Sequence, residues 1–461
     1  MASTLQSDAL VFFGATGDLA YKMVFPALQR LAKHGRLDMP VIGVAKAGWS
    51  LEQLVARARD SVQEHGGIDE AAFAELSSRL AYIDGDYADP DTFARLRKAL
   101  GAASHPLHYL AIPPTLFPLV VKELDRSGCA KGSRVVVEKP FGHDRASARK
   151  LNETLLGVFP EKAVFRIDHF LGKEADQGIL YFRFANSLLE PLWDHNRVAS
   201  VRITMAESFG VKGRGPLYEQ TGAIRDVVQN HLLQVVATLA MEPPAGHDVE
   251  SLRDARSALL ERIAPVRPED VVRGQFVGYH EEPGVAPTSR VETFAALRLR
   301  IDTPRWKGVP FVIRAGKCLP VTCTEALVEL KPPGSTPFTS DAEAGSLGNY
   351  ARFRVDPTFQ IALGVRTKVP GESMHGHHVE MLASEREAET MSPYERLLGD
   401  ALAGDATLFA REDAVEAEWR VVDGIVGDVT PIHAYQPGTW GPRQADALYA
   451  HAGGWRPPVM T

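Results

Sequence analysis

The sequence predicts an α/β protein in two parts. The first, 1–178, is a Rossmann-like, doubly wound domain, and the second, 179–461, is an α+β domain on a large, mainly antiparallel sheet. Three observations predict this. Ala9-Leu-Val-Phe-Phe13 is apolar on both faces and runs straight into Gly14-Ala-Thr-Gly17-Asp18-Leu19, as a strand of a helix-covered parallel sheet does. Strand and helix patterns then alternate as far as Val137, the signature of a doubly wound sheet. Beyond Lys173 strands follow strands, so the architecture changes near 175–200.

Taken in order, the glycine turn opens a helical pattern in which Leu19, Met23, Ala27 and Leu31 recur every four residues. Strand, glycine turn and helix is the context of a dinucleotide site, because N–H groups at the helix start can face a pyrophosphate. The GxGxxG pattern is incomplete: Gly14 and Gly17 fit its last two glycines, and Phe12 stands in place of the first. Backbone demands alone could account for both glycines. Val41–Ala45 is the second apolar strand and ends in Lys46. A cation there suits a ribose 2′-phosphate, where an acid would suit the ribose hydroxyls of NAD; a solvated surface lysine is the other reading.

Leu51–Leu80 reads as largely helical, followed by a turn at Asp84-Gly-Asp86 and a helix over Thr92–Leu100. Leu107–Ile112 is a strand ended by two prolines, and Thr115–Ser127 is a helix with Gly128 as its cap. Arg134–Val137 is a strand running into Glu138-Lys139-Pro140. The proline holds Lys139 extended at the carboxyl edge of the sheet, where such folds bind ligands.

Arg166-Ile-Asp168-His169-Phe-Leu-Gly-Lys173-Glu174 packs an acid, a histidine and a lysine beside the short apolar run Ala163–Phe165. His169 and Lys173 could form a cationic nest for a phosphate dianion, with Asp168 reserved for another partner such as a catalytic histidine. A solvated charged loop is the competing reading.

After a helix over 176–184, Val198–Ala206 alternates as a strand, followed by Glu207 and a glycine-rich loop. Thr221–Met241 reads as one long helix. On a straight α-helix Asp226 and His231 lie about 140° apart and do not share a face, which leaves Asp168 to orient His231. A core histidine bonded to a backbone carbonyl is the alternative. Thr293–Ile301, Val312–Cys318 (delivering Lys317), Glu325–Leu330 and a pair over Phe353–Leu363 read as strands. Lys331–Leu347 reads as a surface loop, and 394–403 and 413–426 as helices.

Composition limits the function. The 461 residues are 45% hydrophobic and 24% charged, ordinary for a globular protein. A net charge of −7 argues against a nucleic-acid or acidic-membrane partner, so any phosphate site must be local. No apolar run is long enough to span a membrane. Met1–Asp8 lacks the pattern of a secretory signal. Three cysteines without a CxxC pair predict neither a disulfide framework nor a zinc site, and fit a reducing cytoplasm.

The stretches GATGDL, EKPFG, RIDHFLGKE, GAIRDVVQNHLLQ, PRWKGVPFVIRAGK and YERLLGDALAGD occur in this order. With them the chain resembles the glucose-6-phosphate dehydrogenase family over nearly its whole length. The resemblance implies oxidation of glucose 6-phosphate at C1 to 6-phosphoglucono-δ-lactone, the first step of the oxidative pentose phosphate pathway. It implies NADP as coenzyme, with NAD as a second it could accept, no metal, and a homodimer or homotetramer. It makes His231 the general base and Asp168 its orienting carboxylate. It makes Lys139, His169, Lys173, Glu207, Asp226 and Lys317 substrate residues, and Gly14, Gly17, Asp18, Lys46, Lys139 and Pro140 coenzyme residues. The chain departs from the family pattern at Met23, Phe170 and Thr322, where a lysine, a tyrosine and a basic residue are usual. Two other functions remain open: an oxidoreductase for a different sugar or sugar phosphate, and a non-catalytic paralogue that binds NADP or sugar phosphate.

Overall fold

Short, largely apolar runs, fully buried in Ala9–Phe13, Val41–Ala45 and Pro106–Leu110, build the first sheet. The computed structural model describes residues 6–333, 348–371, 376–384, 391–450 and 453–458. Contacts divide the chain into two units. One runs up to Gly172 and also takes Ala245–Arg253 and a later segment ending at Glu416; the other holds the remainder. Residues 245–253 and 391–416 thus group with the N-terminal part, although they lie within the span expected for the second domain.

Among the described residues of the first unit six parallel strands form one sheet: β1 (Ala9–Phe13), β2 (Val41–Ala45), β3 (Leu80–Asp84), β4 (Pro106–Leu110), β5 (Arg134–Glu138) and β6 (Val164–Ile167). Their order is β3-β2-β1-β4-β5-β6, the doubly wound arrangement, with its topological switch between β1 and β4. Leu10–Phe13, Val41, Val44, Leu107, Leu110 and Val135–Val137 are each at most 1% exposed, and burying each large apolar side chain contributes roughly 1.5–3 kcal/mol. Side chains that accept from orphan N–H groups start the helices: Ser50 with Gln53 forms a capping box, as does Asp144 with Ser147, and Asp69 accepts from Ala72. Gly128 is left-handed, φ 74°, as the expected cap requires.

The expected single helical stretch 51–80 is two helices, Leu51–Glu64 and Glu70–Arg79, and Leu80 opens β3. Gly66 and Gly67, at positive φ, break the run, and Asp69 caps its restart. The helices Arg145–Leu156 and Val249–Arg262 were not anticipated either.

Among the described residues the second unit carries nine strands: β7 (Val198–Ala206), β8 (Val271–Phe276), β9 (Phe294–Leu299), β10 (Phe311–Gly316), β11 (Cys323–Leu330), β12 (Tyr350–Asp356), β13 (Gln360–Lys368), β14 (Gly376–Ser384) and β15 (Ile432–Tyr435). They lie in the order β14-β13-β12-β11-β7-β10-β9-β8-β15. Only β7 with β10 and β8 with β15 pair in parallel, so the sheet is mostly antiparallel, as expected. Strands β8, β14 and β15 had no sequence forecast. Most of the forecast loop 331–347 lies outside the described residues.

Cross-strand ion pairs knit the middle of this sheet: Arg354–Glu325 at 2.9 Å and Arg202–Glu329 at 2.7 Å, both largely buried. The helix Leu233–Ala240 is held at its carboxyl end, where orphan carbonyls need donors. Trp306 Nε1 donates to Ala240 O at 2.6 Å, Trp193 Nε1 to Leu239 O at 2.8 Å, and Arg183 to Thr238 O and Met241 O at 2.7 and 2.8 Å. The buried guanidinium also complements the negative end of the helix dipole.

Candidate functional site

The first unit gathers its candidates at the carboxyl edge of the parallel sheet. At the switch point the chain leaves β1 through Gly14, whose φ of 81° suits glycine. A Cβ there would lie 2.2 Å from Ala111 O, so only a bare backbone fits. Gly14 N donates to Val44 O and to the Tyr87 hydroxyl, both at 2.9 Å, and Gly17 N closes the turn on Gly14 O at 2.9 Å. Gly17 tolerates a Cβ better, its tightest contact being 3.2 Å. Helical winding starts at Asp18, so N–H groups at the start of a helix meet a tight, side-chain-free turn. That geometry fits a dinucleotide pyrophosphate. Asp18 is solvent-exposed and lies 3.7 Å from Lys22, itself exposed beside the exposed Met23.

Lys46 follows β2 directly, and its ammonium donates to Asp86 at 2.7 Å. The Asp84 carboxylate accepts from Ala47 N and Gly48 N at 2.9 and 2.8 Å, and the Tyr87 hydroxyl donates to Val44 O at 3.1 Å. Sequence reasoning missed Asp84, Asp86 and Tyr87 as parts of this edge. Its only signal was the cluster Asp84-Gly-Asp-Tyr87, and with no strand read between the helical stretch ending at Leu80 and that cluster, it looked like an ordinary turn.

At the end of β5 the peptide Lys139–Pro140 is cis. Just before it, Glu138 is 9% exposed and accepts from the Tyr109 hydroxyl at 2.5 Å. Burial, opposed by hydrogen bonds from Tyr109 and Tyr394, pushes its carboxyl up to about 7. At the end of β6, Asp168 is buried, its Oδ1 accepting from Phe170 N at 2.9 Å, and His169 is half-buried. Phe170 is itself buried, so the missing hydroxyl is replaced by apolar packing. Gly172 lets this loop rest on Leu397, which a Cβ would meet at 2.8 Å.

In the second unit Lys173 opens the helix Glu174–Ala185, and its ammonium lies 2.8 Å from Asp356 Oδ1. The ends of β7 and β10 bring three other candidates together. Lys317, almost wholly buried, is ion-paired with Glu207 and lies 3.9 Å from Asp226 Oδ2. Glu207 N donates to Gly316 O at 3.0 Å, and Lys317 O accepts from the Tyr435 hydroxyl at 2.6 Å, so both main chains are fixed. The Phe209 and Tyr218 rings flank the ammonium at 5.4 and 5.5 Å. The hydroxyl of Thr322 accepts from Ser208 N at 3.0 Å; in place of the usual cation, it fastens the loop after β7.

His231 is 1% exposed on a helix that departs from expectation. Residues Ile224–Leu232 are wound as a π-helix, preceded by a break at Gly222 (φ 60°) and followed by an α-helix. Hydrogen bonds of i→i+5 type set residues five apart nearly above one another. Asp226 and His231 therefore share a face, contrary to the 140° separation expected of an α-helix. Asp226 is drawn instead into the Lys317 cluster. π-Helical turns are frequent at functional sites.

Two family models match in sequence: the glucose-6-phosphate dehydrogenase NAD binding domain over residues 11–177, and the C-terminal domain of the same family over 180–456. Among curated relatives, glucose-6-phosphate 1-dehydrogenase 1 of Mycobacterium tuberculosis is 44% identical over 98% of this chain and 97% of its own length. The cytoplasmic isoform of glucose-6-phosphate 1-dehydrogenase from Solanum tuberosum is 34% identical over 98% and 94%. A crystal structure of glucose-6-phosphate 1-dehydrogenase from Mycobacterium avium superposes with a TM-score of 0.93 at 43% identity, covering 99% of each chain. A glucose-6-phosphate dehydrogenase solved in complex with its substrate glucose-6-phosphate gives 0.91 at 33%, covering 99% of this chain and 100% of its own.

Proposed function

The chain belongs to the glucose-6-phosphate dehydrogenase family, and from that premise we propose how its residues carry the reaction. It is an oxidoreductase that removes hydride from C1 of glucose 6-phosphate and passes it to a nicotinamide coenzyme, leaving 6-phosphoglucono-δ-lactone. The observation that carries this is the in-order match of both family domains across nearly the entire chain.

His231 takes the proton of the C1 hydroxyl, and Asp168 orients its ring and stabilises the imidazolium that forms. The nicotinamide, when bound, accepts the hydride. His169 and Lys173 hold the sugar phosphate, whose dianion replaces Asp356 as the partner of Lys173. Glu207 and Asp226 accept from sugar hydroxyls while Lys317 holds the two acids in place. Lys139 contacts both ligands and Pro140 sets its position. Gly14, Gly17 and Asp18 bind the coenzyme, and Lys46 meets a ribose 2′-phosphate, so NADP is preferred and NAD accepted. Binding of the remote phosphate orients the reacting carbon. The enzyme works as a cytoplasmic homodimer or homotetramer. Among the described residues no helix is long and apolar enough to cross a membrane.

Coenzyme reduction followed by absorbance, with glucose 6-phosphate, glucose and other sugar phosphates against both coenzymes, tests this reading. Glucose 6-phosphate with NADP is expected to give the highest kcat/KM. Equal turnover of unphosphorylated glucose would replace it with a general sugar oxidoreductase, and no turnover at all with a binding paralogue.

A further inference from the structure

The carboxylate on Lys46 is fixed. Asp86 lies just beyond β3, which runs parallel to β2 with Ala45 opposite Asp84. Its Oδ2 accepts from Lys46 Nζ at 2.7 Å and its Oδ1 from Ala88 N at 2.9 Å. Its neighbours are tied down on both sides. Asp84 binds Ala47 N, Gly48 N and the Tyr82 hydroxyl, while the Tyr87 hydroxyl joins the end of β2 to the Gly14 turn. Asp86 therefore leaves the cation only by giving up the bond from Ala88 N, and the anchored residues on either side keep its main chain beside Lys46.

We propose that Asp86 is a coenzyme-selectivity residue: its carboxylate competes with a ribose 2′-phosphate for the Lys46 ammonium and narrows the preference for NADP over NAD. This rests on the reading of Lys46 as the 2′-phosphate partner. The charges set the direction. Lys46 and Asp86 together present no net charge. A coenzyme without the phosphate leaves the pair intact. A phosphate dianion must displace a carboxylate that then stays within a Debye length and repels it. The side chains of Lys46 and Asp86 are 71% and 45% exposed, so the pair itself is weak enough to be displaced. The residual repulsion is the selectivity effect, of the order of three- to tenfold in affinity at low salt.

Calorimetry on the full-length protein with 2′,5′-ADP and with ADP measures this without turnover, beside the NADP-to-NAD ratio of kcat/KM. D86N keeps an acceptor for Ala88 N and removes the charge. It is expected to raise the preference for 2′,5′-ADP over ADP about three- to tenfold, with the gain shrinking as salt rises. An unchanged or lowered preference in D86N overturns the proposal. K46A separates the two readings. If K46A leaves the preference of the wild-type protein intact, Lys46 is not the phosphate partner and both readings fall. If K46A abolishes the preference while D86N does not raise it, the role of Lys46 stands and that of Asp86 falls.

Discussion

Glutamate 138 offers a measurable link between burial and pH. Its carboxyl, closed in by the Tyr109 and Tyr394 hydroxyls, is raised from an ordinary 4.5 to about 7, chiefly by burial. In the unfolded chain it ionises near 4.3. Between those values the native state holds a proton that the unfolded state has lost, so stability falls as pH rises from about 4.5 to 7 and the loss is complete above that. At about 1.36 kcal/mol per pH unit, ionised Glu138 costs the fold roughly 3.5 kcal/mol at pH 8. E138Q removes the titration while its amide oxygen still accepts one phenol. The fixed cost of a rearranged hydrogen bond, about 1 kcal/mol, is the same at every pH. The mutant should therefore be about as stable as wild type at pH 5, where the two costs cancel, and more stable at pH 8. For a domain of 150–250 residues, 1 kcal/mol is worth about 2–4 °C in Tm. Thermal scans of both proteins from pH 5 to 8.5 read the difference in slope. Parallel curves would refute the assignment of a neutral, buried Glu138.

Replacing His231 with alanine should lower kcat by about 10²- to 10⁴-fold, the usual worth of a positioned general base; steady-state rates near neutral pH check this, and a rate equal to wild type would remove His231 from the mechanism. Gly14→Ala forces a Cβ to 2.2 Å from Ala111 O at a left-handed φ, so it should cost at least about 1–3 kcal/mol in stability and weaken coenzyme binding measured by fluorescence titration. Lys317→Met leaves Glu207 and Asp226 without the cation between them; loss of the charge-assisted bond should destabilise by about 1.5–3 kcal/mol, read by denaturation, and raise KM for glucose 6-phosphate. Lys173→Ala should raise KM for glucose 6-phosphate more than KM for glucose, since only the phosphorylated sugar uses the ammonium, and paired kinetics test that contrast.

Much of the fold was legible because local pattern carried it. The strands β1, β2, β4 and β5 are short, mostly apolar runs with turn residues behind them, and the strand-upon-strand texture after Lys173 announced the second sheet. Of the elements that escaped, β3 and β15 are only five and four residues long, so neither periodicity had room to show. The glycine turn was legible because an uncrowded left-handed backbone needs glycine whatever surrounds it. The face shared by Asp226 and His231 was not, since nothing in a run of helix formers tells an i→i+4 winding from an i→i+5 one.

The sequence by itself determined which groups this protein owns and where along the chain they fall: a glycine turn after the first strand, a lysine after the second, and an Asp-His pair leaving the sixth. Tertiary structure alone decided which of them meet. Asp86 on Lys46, Asp356 on Lys173, and Tyr394 beside Glu138 each join residues far apart in the chain. The strength of such a contact depends on distance and on the water excluded around it, and neither exists until the sheets close.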